Sequence, residues 1–493
     1  MGRPVKAAIF LLLACFMIKT PVFSADMAIP SYFFTDKLLP SVNYNEERAW
    51  DERVSRSLGE NLRQGVIASW YILFKNTLVM YYNGVLTGAP WAFPSQNSLY
   101  NNLRGNWKWE QTDGFLVNNI GHPIQGSIYF SAGRVTGFCF YQSIFFSTLG
   151  SLTWEVFHEG LIASTNDLLT TAPAGLSLGE ILFRLYLQAY VAGIPAPIRM
   201  LMNPVAEVHR LITGWQPPNQ GGNFYDFRTF FSIGYQDINY TISPSPSPNE
   251  PMFSNNGMFT TVGFNVVYGD PFAPARIPFR HFEFHASFGS DFHSHLDFRM
   301  FSDGYLFSFV PLYNERQAFS TGLSLHMDFA AIGEFDLFHS TLHMYSNSLG
   351  WTAKYRRRFP HDITWFGRAH AGFTFFGSSM YYNHEWGREL LNFGYGISLK
   401  YYSTLNLGPR NRIDLNASSF FQWNYPGTSA LTRSFTRWHF FDVSFARLVS
   451  QQLSVGASFS LARERGVFCG FPDTRMDHWS AGAFVAWNVR HLD

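Results

Sequence analysis

From about residue 225 to the C-terminus, bulky apolar residues alternate with small or polar ones. In the segment 453–461, Leu453, Val455, Ala457, Phe459 and Leu461 alternate with Ser454, Gly456, Ser458 and Ser460. A period of two places alternate side chains on opposite faces of a β-strand, and about ten residues are enough for a strand to cross a membrane. The chain contains about twelve such segments, within a range of about ten to fourteen, which predicts an antiparallel transmembrane β-barrel.

The lengths of the connections support this interpretation. Longer connections are predicted after odd-numbered strands, at 243–256, 380–390, 425–434 and 466–477, and the tightest after even-numbered strands, at 358–362 and 450–451. Bacterial outer-membrane barrels have long external loops and short periplasmic turns, so the N-terminal domain and the C-terminus are both predicted to be periplasmic. The predicted strand centres lie near residues 234, 262, 284, 302, 323, 348, 370, 398, 417, 441, 458 and 484. Asp303-Gly304 leaves the count open, because it could form a hairpin turn within 294–311.

Composition and charge narrow the class of protein further. Charged residues are only 14% and aromatic residues 18% of the chain, while the mean hydropathy is −0.06. A polytopic helical membrane protein would be more apolar, and the net charge of +1 argues against a nucleic-acid partner. The alternative is a soluble β-sandwich, but its strands have about 5–6 residues and its exposed face carries more Lys and Glu. The membrane barrel is therefore favoured, with outer-membrane lipid as its partner.

Residues 26–213 lack strand alternation and are predicted to form a helical domain. Segment 63–84 is helical, and the apolar run 135–154 approaches transmembrane length but is interrupted by Gly137, Gln142 and Gly150. We interpret that run as a pair of core helices or one facing the lipid interface. Pro and Gly residues mark 214–224 as a linker. The lumen of a barrel of about twelve strands is too narrow for this domain, which is therefore predicted beneath or beside the barrel.

The N-terminus predicts export. Arg3 and Lys6 precede an apolar stretch, and small residues at 24 and 25 suit signal peptidase, so residues 1–25 are predicted to be a removed signal peptide. Residues 12–15 resemble a lipobox, which leaves lipidation of Cys15 as an alternative. Only Cys139 and Cys469 remain after cleavage, which excludes a disulfide scaffold but leaves a single bridge open.

The helical domain has few polar residues, and they are clustered. Ser151, Glu155 and Glu159 would share one face if residues 151–159 were helical, and His122, Arg134 and Asp167 are candidate partners. One hypothesis is a catalytic acid/base site formed by His122, Glu155, Glu159 and Asp167. No cofactor is evident, although these residues could hold a divalent cation. The alternative hypothesis is a buried structural network in which Ser164 and Asn166-Asp167 cap a helix.

The order of these residues resembles a bacterial family of exported proteins that is catalogued as a domain of unknown function. The matching residues are Asn119, Gly121, His122, Pro123, Gly126, Tyr129, Arg134, Gly137, Ser151, Trp154, Glu155, Glu159, Ser164, Asn166, Asp167, Gly175, Gly179 and Glu180. Gly133 departs from the family pattern, in which Ala is expected. The resemblance covers about residues 105–185 and implies an envelope location and a helical module before the strands. The family has no established activity, so it implies no substrate or reaction.

The predicted fold class is α+β by domain: a signal peptide (1–25), a helical domain (26–213), a linker (214–224) and a transmembrane barrel (225–493). The first functional hypothesis is a pore, transport or structural envelope protein whose helical module binds a periplasmic protein partner or gates the barrel. The second is a membrane-face hydrolase or transferase that acts on a lipid or cell-wall substrate. The third is a surface adhesin whose contacts lie in the longer loops.

Overall fold

The protein is described from a computed structural model, in which residues 57–109, 114–217, 224–243, 253–291, 295–334, 342–383, 388–426 and 433–490 are described. The predicted signal peptide, Cys15 and most of the predicted linker lie outside these residues. The cores of the predicted loops 243–256, 380–390 and 425–434 also lie outside them.

In the described residues before β1, the chain forms seven α-helices. They are α1 (Leu58–Tyr81), α2 (Gln96–Leu103), α3 (His122–Val135), α4 (Phe140–Phe157), α5 (Thr165–Val191), α6 (Ala196–Met202) and α7 (Pro204–Thr213). One π-helical turn, Tyr82–Leu86, extends α1, and another, Val117–Gly121, precedes α3. Within the described part of the chain, no helix is both long enough and apolar enough to cross a membrane.

The helix predicted at 63–84 is confirmed by α1 and its π-helical turn. The prediction that the apolar run 135–154 forms a pair of helices is wrong, because only Val135 belongs to α3 and residues 140–154 lie in the single helix α4. The break between α3 and α4 lies at Gly137, whose φ of 85° is a left-handed conformation that glycine adopts without steric cost. The capping of α5 by Ser164 is also confirmed, because its Oγ accepts a hydrogen bond from the Asp167 backbone nitrogen at 3.2 Å.

Twelve antiparallel strands form a closed barrel, in which β1 pairs with β12. The strands are β1 (Phe224–Ser243), β2 (Phe253–Tyr268), β3 (Phe282–Ser290), β4 (His295–Tyr313), β5 (Gln317–Glu334), β6 (Leu342–Phe359), β7 (Ile363–Asn383), β8 (Arg388–Leu407), β9 (Asn411–Asn424), β10 (Phe435–Leu448), β11 (Leu453–Val467) and β12 (Asp473–Arg490). The predicted strand number is confirmed, and each predicted centre lies within its strand. Asp303 and Gly304 lie inside β4, so 294–311 forms part of one strand rather than a hairpin.

The two ends of the barrel differ in their connections. At the end where β12 terminates, β4–β5, β6–β7, β8–β9 and β10–β11 are joined by short turns, and we call this the short-turn end. We call the other the long-loop end. The connection 269–281 is an exception to the predicted asymmetry, because it is long and lies at the short-turn end. Ser320 on β5 donates to the Pro271 carbonyl oxygen at 2.7 Å, and the Phe272 ring lies 5.9 Å from that of Phe366, so this connection packs against the lumen wall. The predicted long connection 466–477 is also wrong, because β11 extends to Val467 and β12 begins at Asp473, which leaves a short turn.

The outer face of the barrel carries an apolar belt. Bulky side chains that face outward remain exposed, including Phe231, Met258, Phe309, Trp351, Phe373, Leu399, Phe445 and Val485. The positions between them face the lumen and are mostly small, polar or charged. This alternation around a closed sheet without edge strands is that of an outer-membrane β-barrel.

Contacts divide the chain into two compact units. The helical unit contains residues 1–108, 126–168 and 182–223, with a core formed by Ala68, Ile72, Tyr129, Ala132, Val135, Phe146, Phe183, Tyr186, Leu187, Val205 and Ala206. The barrel unit contains the strands together with 109–125 and 169–181. The first strand of the barrel begins at Phe224, and both segments lie within residues 26–213.

Candidate functional site

Glu155 forms part of a buried network in the helical unit. Its side chain is 2% exposed, and its Oε2 accepts a hydrogen bond from the Ser164 backbone nitrogen at 2.7 Å. The Ser164 hydroxyl caps α5 and donates to Asn166 Oδ1 at 3.0 Å, and Asn166 Nδ2 donates to Asp167 Oδ1 at 2.8 Å. A carboxylate in the first turn of a helix is stabilised by the helix dipole. These contacts support the structural hypothesis for Glu155 and Asp167.

The predicted stripe of Ser151, Glu155 and Glu159 is wrong at its last member, because α4 ends at Phe157. The chain leaves the helix and passes residues 91–93, where the Gly160 nitrogen donates to the Trp91 carbonyl oxygen at 2.6 Å. A Cβ at Gly160 would lie 2.6 Å from the Phe93 oxygen, so this approach requires glycine. Glu159 accepts a hydrogen bond from Trp154 Nε1 at 3.1 Å.

His122 begins α3 and is buried, but it belongs to the barrel unit, whereas Glu155, Glu159 and Asp167 belong to the helical unit. The convergence of all four residues on one catalytic or metal site stays a prediction. Arg134, a candidate partner of the carboxylates, donates to the Phe138 carbonyl oxygen at 3.0 Å, and its guanidinium carbon lies 5.0 Å from the centre of the Phe183 ring.

Lys75 is the centre of a second polar cluster, which sequence reasoning did not identify. Its Nζ donates to the Tyr129 hydroxyl at 3.1 Å and lies 5.4 Å from the Trp154 ring centre. The Tyr129 hydroxyl donates to Asn76, whose Nδ2 donates to Thr153 Oγ1 at 3.1 Å. Burial holds the pKa of Lys75 well below its usual range, which increases the fraction of neutral amine. The sequence signal was a single lysine on an otherwise apolar helix.

Two glycines allow the helices around this cluster to approach closely. A Cβ at Gly150 would lie 2.3 Å from the Tyr129 ring, and a Cβ at Gly133 would lie 2.8 Å from both Phe146 and the Ser143 hydroxyl. The close approach of Ser143 and Phe146 gives a physical reason for glycine at position 133, where the family pattern has alanine. Alanine at position 133 would require the side chains of Ser143 and Phe146 to move.

The last three helices before the barrel share a buried ion-pair network. Glu207 on α7 accepts hydrogen bonds from Arg199 Nε and Nη2 at 3.1 and 3.0 Å, and from the Tyr186 hydroxyl at 2.8 Å. Arg210 Nη2 donates to the same carboxylate at 2.6 Å. Burial by itself raises the pKa of Glu207, but the bonds from Arg199, Arg210 and Tyr186 outweigh it and hold the pKa at about 2.

The barrel lumen contains a cluster that could be mistaken for a metal centre. One ligand atom each from His281, Glu283 and Asp303 lie within 4.8 Å of one another. Lys354 Nζ, however, lies 2.7 Å from Glu283 Oε1, and Arg368 Nη1 donates to Asp303 Oδ2 at 2.7 Å. Both carboxylates therefore already have a cationic partner, which favours an ion-pair cluster over a metal site.

Other luminal contacts join strands across the barrel. The two Asp328 oxygens on β5 accept from Lys400 Nζ on β8 at 2.6 and 2.7 Å. Arg299 Nη1 on β4 lies 3.5 Å from Asp442 Oδ1 on β10. Because β4 and β10 are six strands apart in a ring of twelve, they lie on opposite sides of the lumen. The rings of Phe301 and Phe440 also join these strands, with centres 5.7 Å apart.

The described residues of the segment 109–125, namely 109 and 114–125, pack on the outer face of β5–β8 within the barrel unit, and we call them the outer segment. The Phe115 ring lies 5.7 Å from Phe329 and 4.5 Å from His343, and Asn119 Nδ2 donates to Ser378 Oγ at 3.3 Å. The contacted strand residues alternate with luminal ones, so they face outward, and they lie in the long-loop half of the wall. The outer segment thus covers outward-facing polar groups that lipid could not satisfy.

Comparison with known proteins agrees with the resemblance seen in the sequence. Residues 106–203 match the family model described as Domain of unknown function (DUF3943). Comparison with curated protein sequences finds no match.

Solved structures similar to this chain include outer-membrane barrels. The Pseudomonas putida toluene transporter TodX is 9% identical, with 57% of this chain and 93% of that chain covered and a TM-score of 0.22. The beta domain of the Bordetella autotransporter BrkA is 13% identical, with 54% and 99% covered and a TM-score of 0.22. A Pseudomonas aeruginosa FadL homologue is 9% identical, with 53% and 90% covered and a TM-score of 0.21. At these TM-scores, the fold assignment rests on the closed strand pairing of the barrel itself.

Proposed function

We propose that this outer-membrane barrel is a sealed membrane anchor for its helical domain rather than an open diffusion pore. The observation that carries the proposal is the contact between Arg299 on β4 and Asp442 on β10 across the lumen. Many lumen-facing side chains are almost completely buried, including Gln236, His326, Asp328, Lys354, Lys400, Trp438 and His478, although the side chain of Asp442 itself is 39% exposed. A water-filled channel would leave such groups exposed to water.

The exposed face of α1 supports an anchoring role. Apolar side chains along this face form a continuous stripe of Leu58, Leu62, Val66, Trp70, Leu73, Leu78 and Tyr81, all exposed. An exposed apolar stripe of this kind is suited to the membrane interface. We therefore propose outer-membrane lipid as a partner of α1 as well as of the barrel belt. A periplasmic protein partner stays a second hypothesis.

Gated transport is a second candidate function, because one luminal carboxylate is shared between two cations. Asp303 Oδ2 lies 2.7 Å from Arg368 Nη1, while its Oδ1 lies 3.8 Å from Lys354 Nζ. An exchange of partners within this cluster would rearrange the lumen without leaving a buried charge unpaired. In this alternative, the sealed arrangement is the closed state of a transporter.

Planar-bilayer conductance of the refolded full-length chain tests the anchor proposal. We expect the wild type to show no steady open-channel conductance, and the neutral variant Arg299→Gln/Asp442→Asn to conduct more, because its cross-lumen pair is weakened. Arg447→Gln, at an exposed outward position, is the matched control and should behave as the wild type. A steady wild-type conductance that Arg299→Gln/Asp442→Asn leaves unchanged would overturn the proposal. Opening of the wild type only under an applied voltage would favour gated transport.

The enzymatic hypothesis stays open for the helical unit. One observation that supports it is the lowered pKa of Lys75, whose amine contacts Tyr129. The other is the presence of the Glu155 and Glu159 carboxylates in the same unit. A partly buried lysine whose pKa is lowered is a suitable general base or nucleophile. Binding of a divalent cation by His122, Glu155, Glu159 and Asp167 also stays a hypothesis. His122 belongs to the barrel unit, whereas the three carboxylates belong to the helical unit.

We also propose an orientation. If the long-loop end faces the outside, as is general for bacterial barrels, the C-terminus of β12 faces the periplasm. The same orientation places the outer segment in the outer half of the wall, because it contacts Phe329, His343 and Ser378 there. This part of the chain thus argues against an N-terminal domain that is wholly periplasmic.

A further inference from the structure

A row of arginines crosses three strands on the outer face of the barrel at its long-loop end. Arg465 on β11 is paired directly with Arg437 on β10 and with Arg475 on β12. In the adjacent row, Arg463 lies between His439 and Asp477 in the same way. Directly opposed like charges on neighbouring strands destabilise a sheet, so this row implies a compensating anion.

The protein compensates the charge of this row only in part. Asp477 accepts hydrogen bonds from Arg463 and, at 2.7 Å, from Arg475 Nε. Among the described residues, neither Arg437 nor Arg465 has a carboxylate within ion-pair distance. Arg463, Arg465 and Arg475 are exposed, and the side chain of Arg475 is 60% accessible. Two guanidinium groups therefore remain available to an anionic ligand.

These arginines lie beside an open cavity at the upper edge of the apolar belt. The cavity has a volume of about 590 Å³, and four arginines outnumber the two carboxylates in its lining, which includes Arg437, Arg463, Arg465, Arg475, Glu464 and Asp473. On each strand, the next outward position toward the middle of the barrel beyond the charged rows is apolar: Phe441, Leu461 and Trp479. The transition from an aromatic and aliphatic belt to cationic residues is the depth at which lipid headgroups lie.

We propose that Arg437, Arg465 and Arg475 bind the phosphate groups of a membrane lipid on the outer surface of the barrel. Guanidinium groups form paired hydrogen bonds with phosphate oxygens. The acyl chains of such a lipid would lie on the adjacent apolar belt at Leu461 and Trp479. A lipid therefore satisfies both surfaces at once, whereas a free phosphate ion satisfies only the arginines.

The test uses the full-length protein in neutral detergent and follows the unfolding temperature of the barrel. The probes are lipid A, which carries two phosphate groups, a neutral glycolipid without phosphate, and inorganic phosphate. We expect lipid A to raise the unfolding temperature of the wild type. The lipid A concentration that gives half of this rise should be at least tenfold higher for Arg437→Gln/Arg465→Gln. Without lipid, this double variant should unfold at a higher temperature than the wild type, because the like-charge repulsion has been removed.

Arg447→Gln is the matched control, since Arg447 is an exposed outward arginine on β10 near the opposite end of the barrel. It should respond to lipid A as the wild type does. Arg475→Gln provides a second, independent variant, and it should weaken the response severalfold. Equal responses to lipid A and the neutral glycolipid, or a wild-type response in the double variant, would overturn the proposal. An equal response to inorganic phosphate at the same phosphate concentration would assign the site to a free ion and overturn the lipid assignment.

Discussion

The ring of Tyr129 occupies the space that a side chain at Gly150 would need, because a Cβ there would lie 2.3 Å from the ring. Tyr129 on α3 is completely buried and carries the hydroxyl that contacts Lys75. Close packing of α3 against α4 therefore positions the Lys75 cluster.

Replacement of Gly150 by alanine should destabilise the helical unit. Overpacking of a tight core costs about 1–3 kcal/mol, which here exceeds the gain in helix propensity of up to about 1 kcal/mol. Urea unfolding monitored by the helical circular dichroism signal measures the change. Gly59→Ala is the control, because nothing lies within 4 Å of a Cβ at Gly59 on α1; its stability should be unchanged or slightly higher. A Gly150→Ala protein as stable as Gly59→Ala would contradict the packing described for Tyr129.

Glu207 should make the stability of the helical unit depend on acid pH. Its pKa is about 2 in the folded protein, below the ordinary value of 4.5, so the stabilisation is complete above pH 4.5 and is lost as the pH falls toward 2. The shift corresponds to roughly 3 kcal/mol. Glu207→Gln should cost about 3–5 kcal/mol at neutral pH, because it removes the charge that partners two arginines.

The measurement for Glu207 is the free energy of unfolding at several pH values for the wild type and Glu207→Gln. The difference between the two proteins should shrink between pH 4.5 and pH 2. A difference that stays constant over this range would show that the carboxylate is not held ionised. Glu60→Gln, at an exposed position in the first turn of α1, is the control and should show little change.

Replacements of Glu155 separate the structural hypothesis from the catalytic one. Glu155→Gln can still accept the hydrogen bond from the Ser164 nitrogen, so the protein should fold with a loss of about 1 kcal/mol. Glu155→Leu leaves that buried nitrogen without its acceptor and should cost about 1–3 kcal/mol. The free energy of unfolding in urea distinguishes Glu155→Gln from Glu155→Leu, and Glu159→Gln is the control. If Glu155→Leu were as stable as Glu155→Gln, the structural role would be refuted and the catalytic hypothesis would gain weight.

The single cysteine of the β11–β12 turn tests the orientation of the barrel. Cys469 is exposed at the long-loop end. A membrane-impermeant maleimide should label it on intact cells, because this end is proposed to face outward. The Cys139→Ser variant is used as the background, because Cys139 is the other free thiol among the described residues, and a further Cys469→Ser substitution should abolish the labelling. Cells with a permeabilised outer membrane give the maximum signal. Labelling of Cys469 only after permeabilisation would place the long-loop end in the periplasm.

The candidate sites were harder to predict than the fold. Ser164 was identified as a helix cap, because capping depends on residues a few positions apart. Glu159 was misplaced, because the end of α4 is decided by the approach of residues 91–93 rather than by local sequence. Lys75 and Tyr129 are 54 positions apart, so their contact had no sequence pattern to reveal it.

Residue patterns along the chain were enough to predict an antiparallel barrel of about twelve strands and a helical segment before it, because strand alternation and membrane length are local properties. The contact of Arg299 with Asp442 across the lumen and the row of Arg437, Arg465 and Arg475 follow from the folded barrel alone. The tertiary structure also placed the outer segment on the barrel wall. Strand pairing and contacts across the lumen bring together residues that are far apart in the chain. Alternation along a strand indicates only which face a residue occupies, and it does not indicate which residues it contacts there.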